Sequence, residues 1–120
     1  MQKMRKNKDK NIRIFYELET ETGTVRVYIH PSGTVIKAYV RQLSANERAT
    51  ADAVQDSSDI EFTINKRNIK TDMYVDFYDG FEWYTYQIGP KDNYEFYDTE
   101  VKFRAHQVNS KTYIETRWTA

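Results

Sequence analysis

At 120 residues the chain has the length of one domain, and a domain of this size buries enough surface to fold without cross-links. It contains no cysteine, which excludes a disulfide framework, a thiolate metal site and a cysteine nucleophile. No apolar run approaches the ~20 residues of a membrane span, and the opening residues do not read as a signal peptide, so a soluble, intracellular product is expected.

Charge balances overall, 18 basic against 18 acidic side chains, but unevenly. Residues 1–13 hold six cations (Lys3, Arg5, Lys6, Lys8, Lys10 and Arg13) against Asp9, a net +5, so the remainder carries −5. The leader reads as a solvated arm over residues 1–10, or as a contact for DNA or an acidic partner through Lys3, Arg5, Lys6, Lys8 and Lys10. The body, residues 11–120, is acidic, and a dedicated nucleic-acid binder is usually basic there as well. Ten Tyr, six Phe and two Trp beside only four Gly and two Pro favour pleated strands with defined turns.

Period-two alternation begins at Ile12, with Ile14, Tyr16 and Leu18 on one face and Arg13, Glu17 and Glu19 on the other. Thr22-Gly23 predicts a turn, Val25, Val27 and Ile29 a second strand, and His30-Pro31-Ser32-Gly33 a second turn. A third strand runs from Thr34 to Leu43, with Ile36, Ala38 and Val40 alternating against Lys37, Tyr39 and Arg41. Ser44-Ala45-Asn46-Glu47 then has the form of a capping box, opening an alanine-rich helix of about two turns over Arg48–Val54. Gln55-Asp56-Ser57-Ser58-Asp59 is a polar break.

Strands return with Ile60, Phe62 and Ile64, followed by a loop at Lys66–Lys70. Met73, Val75 and Phe77 alternate with Tyr74, Asp76 and Tyr78 up to Asp79-Gly80, which predicts a two-residue hairpin turn facing Tyr78 with Phe81. One hairpin face is then Met73, Val75, Phe77, Tyr84, Tyr86 and Ile88. The other, Tyr74, Tyr78, Phe81 and Trp83, is too aromatic for an ordinary wet surface. It reads as packed core, as a subunit interface or as a base-stacking platform. Gly89–Asn93 closes the far end, a long strand follows through Val101, Phe103 and Ala105, and Tyr113–Trp118 ends the series. Seven or eight strands in hairpin-like order predict a mostly β protein: a small antiparallel β-barrel with one short helix and an inserted flexible loop.

Catalytic chemistry is not indicated. Neither His30, in a turn, nor His106, on an outward strand face, has a carboxylate or histidine at ligand spacing, and no phosphate loop or nucleophile elbow occurs. Asp76, Asp79 and Glu82 cluster in sequence, but Asp79 serves the turn, and the register sends Asp76 and Glu82 apart. No enzyme, metal or cofactor is expected.

The run from Ala38 to Val108 resembles the head-tail joining (head-tail adaptor, or head completion stopper) family of long-tailed bacteriophages. The features that carry it stand in order: the strand Ala38–Leu43 ending in Leu43-Ser44-Ala45-Asn46-Glu47; the alanine-containing segment; Phe62-Thr63-Ile64 and Ile69; Met73-Tyr74-Val75-Asp76-Phe77-Tyr78-Asp79-Gly80; Ile88-Gly89-Pro90; and the closing strand Glu100–Val108. The resemblance implies a homo-oligomeric ring, of about twelve copies when assembled. It would sit in the virion between a portal or adaptor protein above and a tail or tail-completion protein below, after assembly in the host cytoplasm. DNA would pass through without sequence recognition, and no membrane is involved. Ser44–Asp59 corresponds to the segment that projects toward the channel, so Ser44, Asn46, Glu47, Arg48, Asp52, Gln55, Asp56 and Asp59 are the channel or gating candidates. Their acidic balance would repel the phosphate backbone. A helix that merely covers the barrel is the plainer reading of this segment. Competing readings of the whole chain are a single-stranded nucleic-acid-binding barrel, using Trp83, Tyr78 and Phe81, and a tail-completion or minor tail protein of the same fold.

Overall fold

The computed structural model describes residues 7–43, 59–90, 94–109 and 111–119, and among these every regular element is a strand. They are β1 (Lys10–Thr20), β2 (Gly23–Tyr28), β3 (Ile36–Gln42), β4 (Ile60–Asn65), β5 (Tyr74–Tyr78), β6 (Trp83–Ile88), β7 (Glu95–Phe96), β8 (Glu100–Gln107) and β9 (Glu115–Trp118). Six of them close on themselves in the order β1-β3-β4-β8-β6-β5, each neighbour antiparallel. The expected small antiparallel barrel is therefore present. The helix expected after Ser44 lies outside the described residues.

Alternation explains the closure. Ile12 and Ile14, Ile36 and Ala38, Ile60, Phe62 and Ile64, Val75, Ile88, and Val101, Phe103 and Ala105 all point inward and are buried together. Phe62 stacks on Phe103 at 5.5 Å and meets Phe77 and Tyr86 edge-on. Each such side chain taken from water stabilises the fold by roughly 1.5–3 kcal/mol. Ile69, Met73 and Tyr94 join the same core from the loops.

Two local features differ from the sequence reading. The His30–Gly33 turn does not reverse the chain. β2 and β3 lie one after the other along the same edge of β1, Tyr28 opposite Phe15 and Ile36 opposite Ile12. Residues 29–35 have only Arg13 and Ile14 to face on β1, so they loop outward, with Thr34 N–H bonded to Pro31 O and Gly33 at φ 80°. In the β5–β6 hairpin, Tyr78 pairs with Trp83 rather than Phe81. The Asp79 carboxylate accepts the amides of Phe81 (2.7 Å) and Glu82 (2.8 Å), which builds a four-residue tip in place of the two-residue turn. A slip of two residues keeps every side chain on its predicted face.

β1 is longer than the barrel needs. Beyond Phe15 it leaves β5 and continues with β2 as a hairpin over Thr20↔Gly23, to which β9 adds in parallel. This side sheet rests against the outside of the barrel.

Candidate interaction surface

The outer face of β1, β5 and β6 is built by odd-numbered β1 residues and their cross-strand partners: Arg13 opposite Asp76, Phe15 opposite Tyr74, and Tyr28 on the far side of Phe15. The face that holds Arg13, Glu17 and Glu19 is thus partly covered as far as Glu17, because the C-terminal residues fold over it. Phe15 is 1 % exposed, stacked on Tyr74 at 5.2 Å and met edge-on by Tyr28 and Tyr113. Trp118 of β9 stacks on Tyr28 at 4.2 Å.

At the centre is Asp76, a buried carboxylate. It accepts hydrogen bonds from Tyr28 Oη (2.7 Å) and Thr85 Oγ1 (2.9 Å), with Arg26 Nη1 3.9 Å away. Burial, together with the Asp76 charge and hydrogen bond, pushes the Tyr28 phenol well above its ordinary range. At the next position Glu17 accepts from Tyr113 Oη (2.9 Å) and Lys111 Nζ (3.2 Å). Burial raises the Glu17 pKa, but the hydrogen bonds from Tyr113, Lys111 and Tyr74 outweigh it and leave the carboxyl below its usual value. Tyr74, by burial and by bonding to Glu17, is raised to about 12. These are charge-assisted bonds between segments distant in sequence: those to Asp76 tie β2 and β6 to β5, and those to Glu17 hold Lys111 and Tyr113 to β1.

Of the four aromatic candidates, Tyr74 is consumed in this packing. Tyr78 and Trp83 pair with each other at 5.1 Å on the rim, and the Arg13 guanidinium lies 4.3 Å over the Trp83 ring. Phe81 stands apart: it is 90 % exposed at the hairpin tip. Sequence reasoning missed Phe15, Tyr28, Asp76 and Trp118 as parts of one cluster. The available signal was the aromatic at an odd position of β1.

The channel candidates divide at the edge of the described residues. Ser44, Asn46, Glu47, Arg48, Asp52, Gln55 and Asp56 lie outside them, and Asp59 is the neck. Gln42 pairs with Ile60, Leu43 N–H donates to Asp59 O (3.1 Å), Asp59 N–H to Ala105 O (2.9 Å), and Gln107 N–H to Asp59 Oδ2 (3.0 Å). The wall beside the neck is braced by Glu61, 5 % exposed, which lies 3.2 Å from Arg41 Nη2 and 3.5 Å from Arg104 Nε. Of the basic leader, Lys3, Arg5 and Lys6 lie outside the described residues. Lys8 is ion-paired with Glu100, and Lys10 opens β1 opposite Ala38.

His30 is 2 % exposed, edge-on to Trp118 at 5.4 Å with Nδ1 3.0 Å from Thr34 Oγ1. Burial outweighs the Pro31 carbonyl and, with the nearby Arg67 and Arg13 charges, holds its pKa below the ordinary value. His106 projects from the outward face of β8, opposite Gln87. Among the described residues no three His, Asp or Glu side chains converge as metal ligands, and no helix is long and apolar enough to cross a membrane. No family model, no curated protein and no solved structure matches the chain.

Proposed function

We propose that this chain is a non-enzymatic virion connector, a barrel that assembles as a ring beneath the portal and adaptor of a phage head, closes the DNA channel and offers a surface to the tail. The observation that carries the reading is the neck at Leu43 and Asp59. In a barrel closed by backbone pairing all the way round, the two ends of the segment between these residues are held together at one braced point, fastened to both β3 and β8. A segment rooted this way can change its arrangement without opening the barrel, which is what a channel closure requires. The acidic balance of Ser44–Asp59 suits a surface along which DNA must slide without sticking. The ordered motifs from Ala38 to Val108 supply the rest of the argument, and Phe81, held out at a hairpin tip, is a natural anchor for a neighbouring subunit.

The nucleic-acid-binding alternative is disfavoured by Arg13, which occupies a face of Trp83 that stacking on a base would need. Heads assembled without this protein test the proposal. They should lose packaged DNA and refuse tails, and purified protein should restore both. A protein in which residues 44–58 are replaced by a short Gly-Ser linker should bind the heads yet leave them leaking. Heads lacking the protein that retain DNA and accept tails would refute the assignment.

A further inference from the structure

We infer that the open edge of β1 accepts an extended basic strand, and that this strand is the leader, residues 1–6, of a second copy of the chain. β5 covers its side of β1 only as far as Phe15↔Tyr74, whereas β1 continues to Thr20 on its other side with β2. Ile29 N–H donates to Ile14 O, so even-numbered residues of β1 bond toward β2 and odd-numbered ones toward the β5 side. The backbone groups of Glu17 and Glu19 therefore face outward, and among the described residues no backbone pairs with them. An unpaired edge is a template for strand addition.

A groove of about 610 Å³ runs along that edge. Tyr16, Met73 and Tyr74 give it apolar walls, and its charge is Glu17, Glu19 and Asp72 against Lys70. Glu17 is engaged by Tyr113 and Lys111 and Glu19 accepts from Thr24 Oγ1 (3.0 Å), so among the described residues Glu19 and Asp72 are the groove carboxylates without an ion pair. The two faces of the edge differ: Glu17 and Glu19 lie on one, Tyr16 and Leu18, 38 % and 40 % exposed, on the other. A strand that fits needs cations at alternate positions around an apolar residue. Lys3-Met4-Arg5 has that pattern, and because it is symmetric about Met4 it matches in either direction.

The occupant comes from another copy because of where the leader starts. Lys8 is ion-paired to Glu100 on β8, and β8 stands three strands from β1 either way round the barrel. The described chain begins at the Lys10 end of β1, whereas its own groove lies beside Glu17 and Glu19 toward the other end of the strand. Leader and groove are different surfaces, so the contact is head-to-tail, and repetition with a closing rotation makes a ring. The contact concerns two copies of this chain and stands apart from the connector reading, so failure of either leaves the other in place.

The natural absence of cysteine allows a direct test. Full-length Met4→Cys and Leu18→Cys proteins, mixed under mild oxidation, should give a disulfide-linked dimer at least about tenfold above the yield of Met4→Cys with Ser32→Cys, an exposed position on the 29–35 loop. Lys3→Glu/Arg5→Glu in the Met4→Cys protein should reduce the dimer to that control level, and so should about 0.5 M salt. Glu19→Lys in the partner should act likewise. Equal yields with Leu18→Cys and Ser32→Cys partners would overturn the inference. So would a Met4→Cys/Leu18→Cys protein that closes only within itself at every concentration.

Discussion

Removing the carboxylate at the centre of the outer cluster is the most searching test of how that face is organised. In Asp76→Ala, the hydroxyls of Tyr28 and Thr85 lose the acceptor they reach at 2.7 and 2.9 Å, and Tyr28 is 2 % exposed, so water replaces it poorly. Hydrogen bonds to a charged group contribute roughly 1.5–3 kcal/mol each, so the low end for two is about 3 kcal/mol. Arg26 also loses its nearest carboxylate in the cluster, at 3.9 Å, but its distance and partial exposure make that a minor addition. With a urea m-value of about 1.5–2 kcal/mol/M for a domain of this size, the midpoint should fall by roughly 1.5–2 M. Tyr28→Phe removes one of the two bonds and should cost about half as much. The double variant should show a coupling of about 1–3 kcal/mol, because both changes delete the same bond. Urea unfolding followed by tryptophan fluorescence reads both, since Trp118 stacks on Tyr28. A midpoint shift below about 0.5 M for Asp76→Ala, or strict additivity in the cycle, would refute the idea that this carboxylate organises the face.

Alkaline unfolding should follow the raised phenols. Tyr28, Tyr74 and Tyr113 favour the neutral form when folded, so their stabilisation is intact below the unfolded value of about 10 and is lost as pH rises, through about 12 for Tyr74; absorbance near 295 nm should show them ionising only with unfolding. His30 works in the opposite direction: its folded pKa is lowered, so it stabilises above the unfolded value of about 6.5, and that contribution drains away below it, which urea midpoints of wild type and His30→Gln at pH 7 and 5 would show. Phe81→Ser should change unfolding free energy by less than about 0.5 kcal/mol, because the ring is 90 % exposed, while lowering incorporation into heads. Gly23→Ala should cost about 1–2 kcal/mol, since φ is +149° there and an added Cβ would meet Ile114 Cγ2 at 2.8 Å; Ile114→Ala in the same chain should recover part of it.

The barrel was legible because its inward positions obey one rule. Ile60, Phe62 and Ile64, and Val101, Phe103 and Ala105, alternate without exception, and a two-residue pairing error at the β5–β6 tip could not flip a face. The tip itself was misread because Asp79-Gly80 is a strong two-residue signal, whereas the aspartate's own carboxylate competes for the next two amides and wins. The turn expected at His30–Gly33 is present, but the hairpin-like order did not extend to β2 and β3, for a related reason. Turn residues report a local change of φ, and the same residues serve a chain that loops out and rejoins the same edge.

The outer cluster was harder to see because its logic is not periodic. Phe15 lies between Ile14 and Tyr16, so alternation gives it to the wet face, and only the return of Tyr113 and Trp118 from the far end of the chain makes that face dry. Long-range closure of this kind leaves a compositional trace, an excess of Tyr, rather than a pattern, because a phenol can bury its ring and still donate through its hydroxyl, as Tyr28 does to Asp76 and Tyr113 to Glu17. The same reasoning accounts for what stays uncovered. Past Phe15, β1 keeps the alternation of a half-buried strand, yet Tyr16 and Leu18 are exposed and β5 has already ended. A strand patterned for burial on a face that the described residues leave open is the feature on which the inferred contact with a second copy rests.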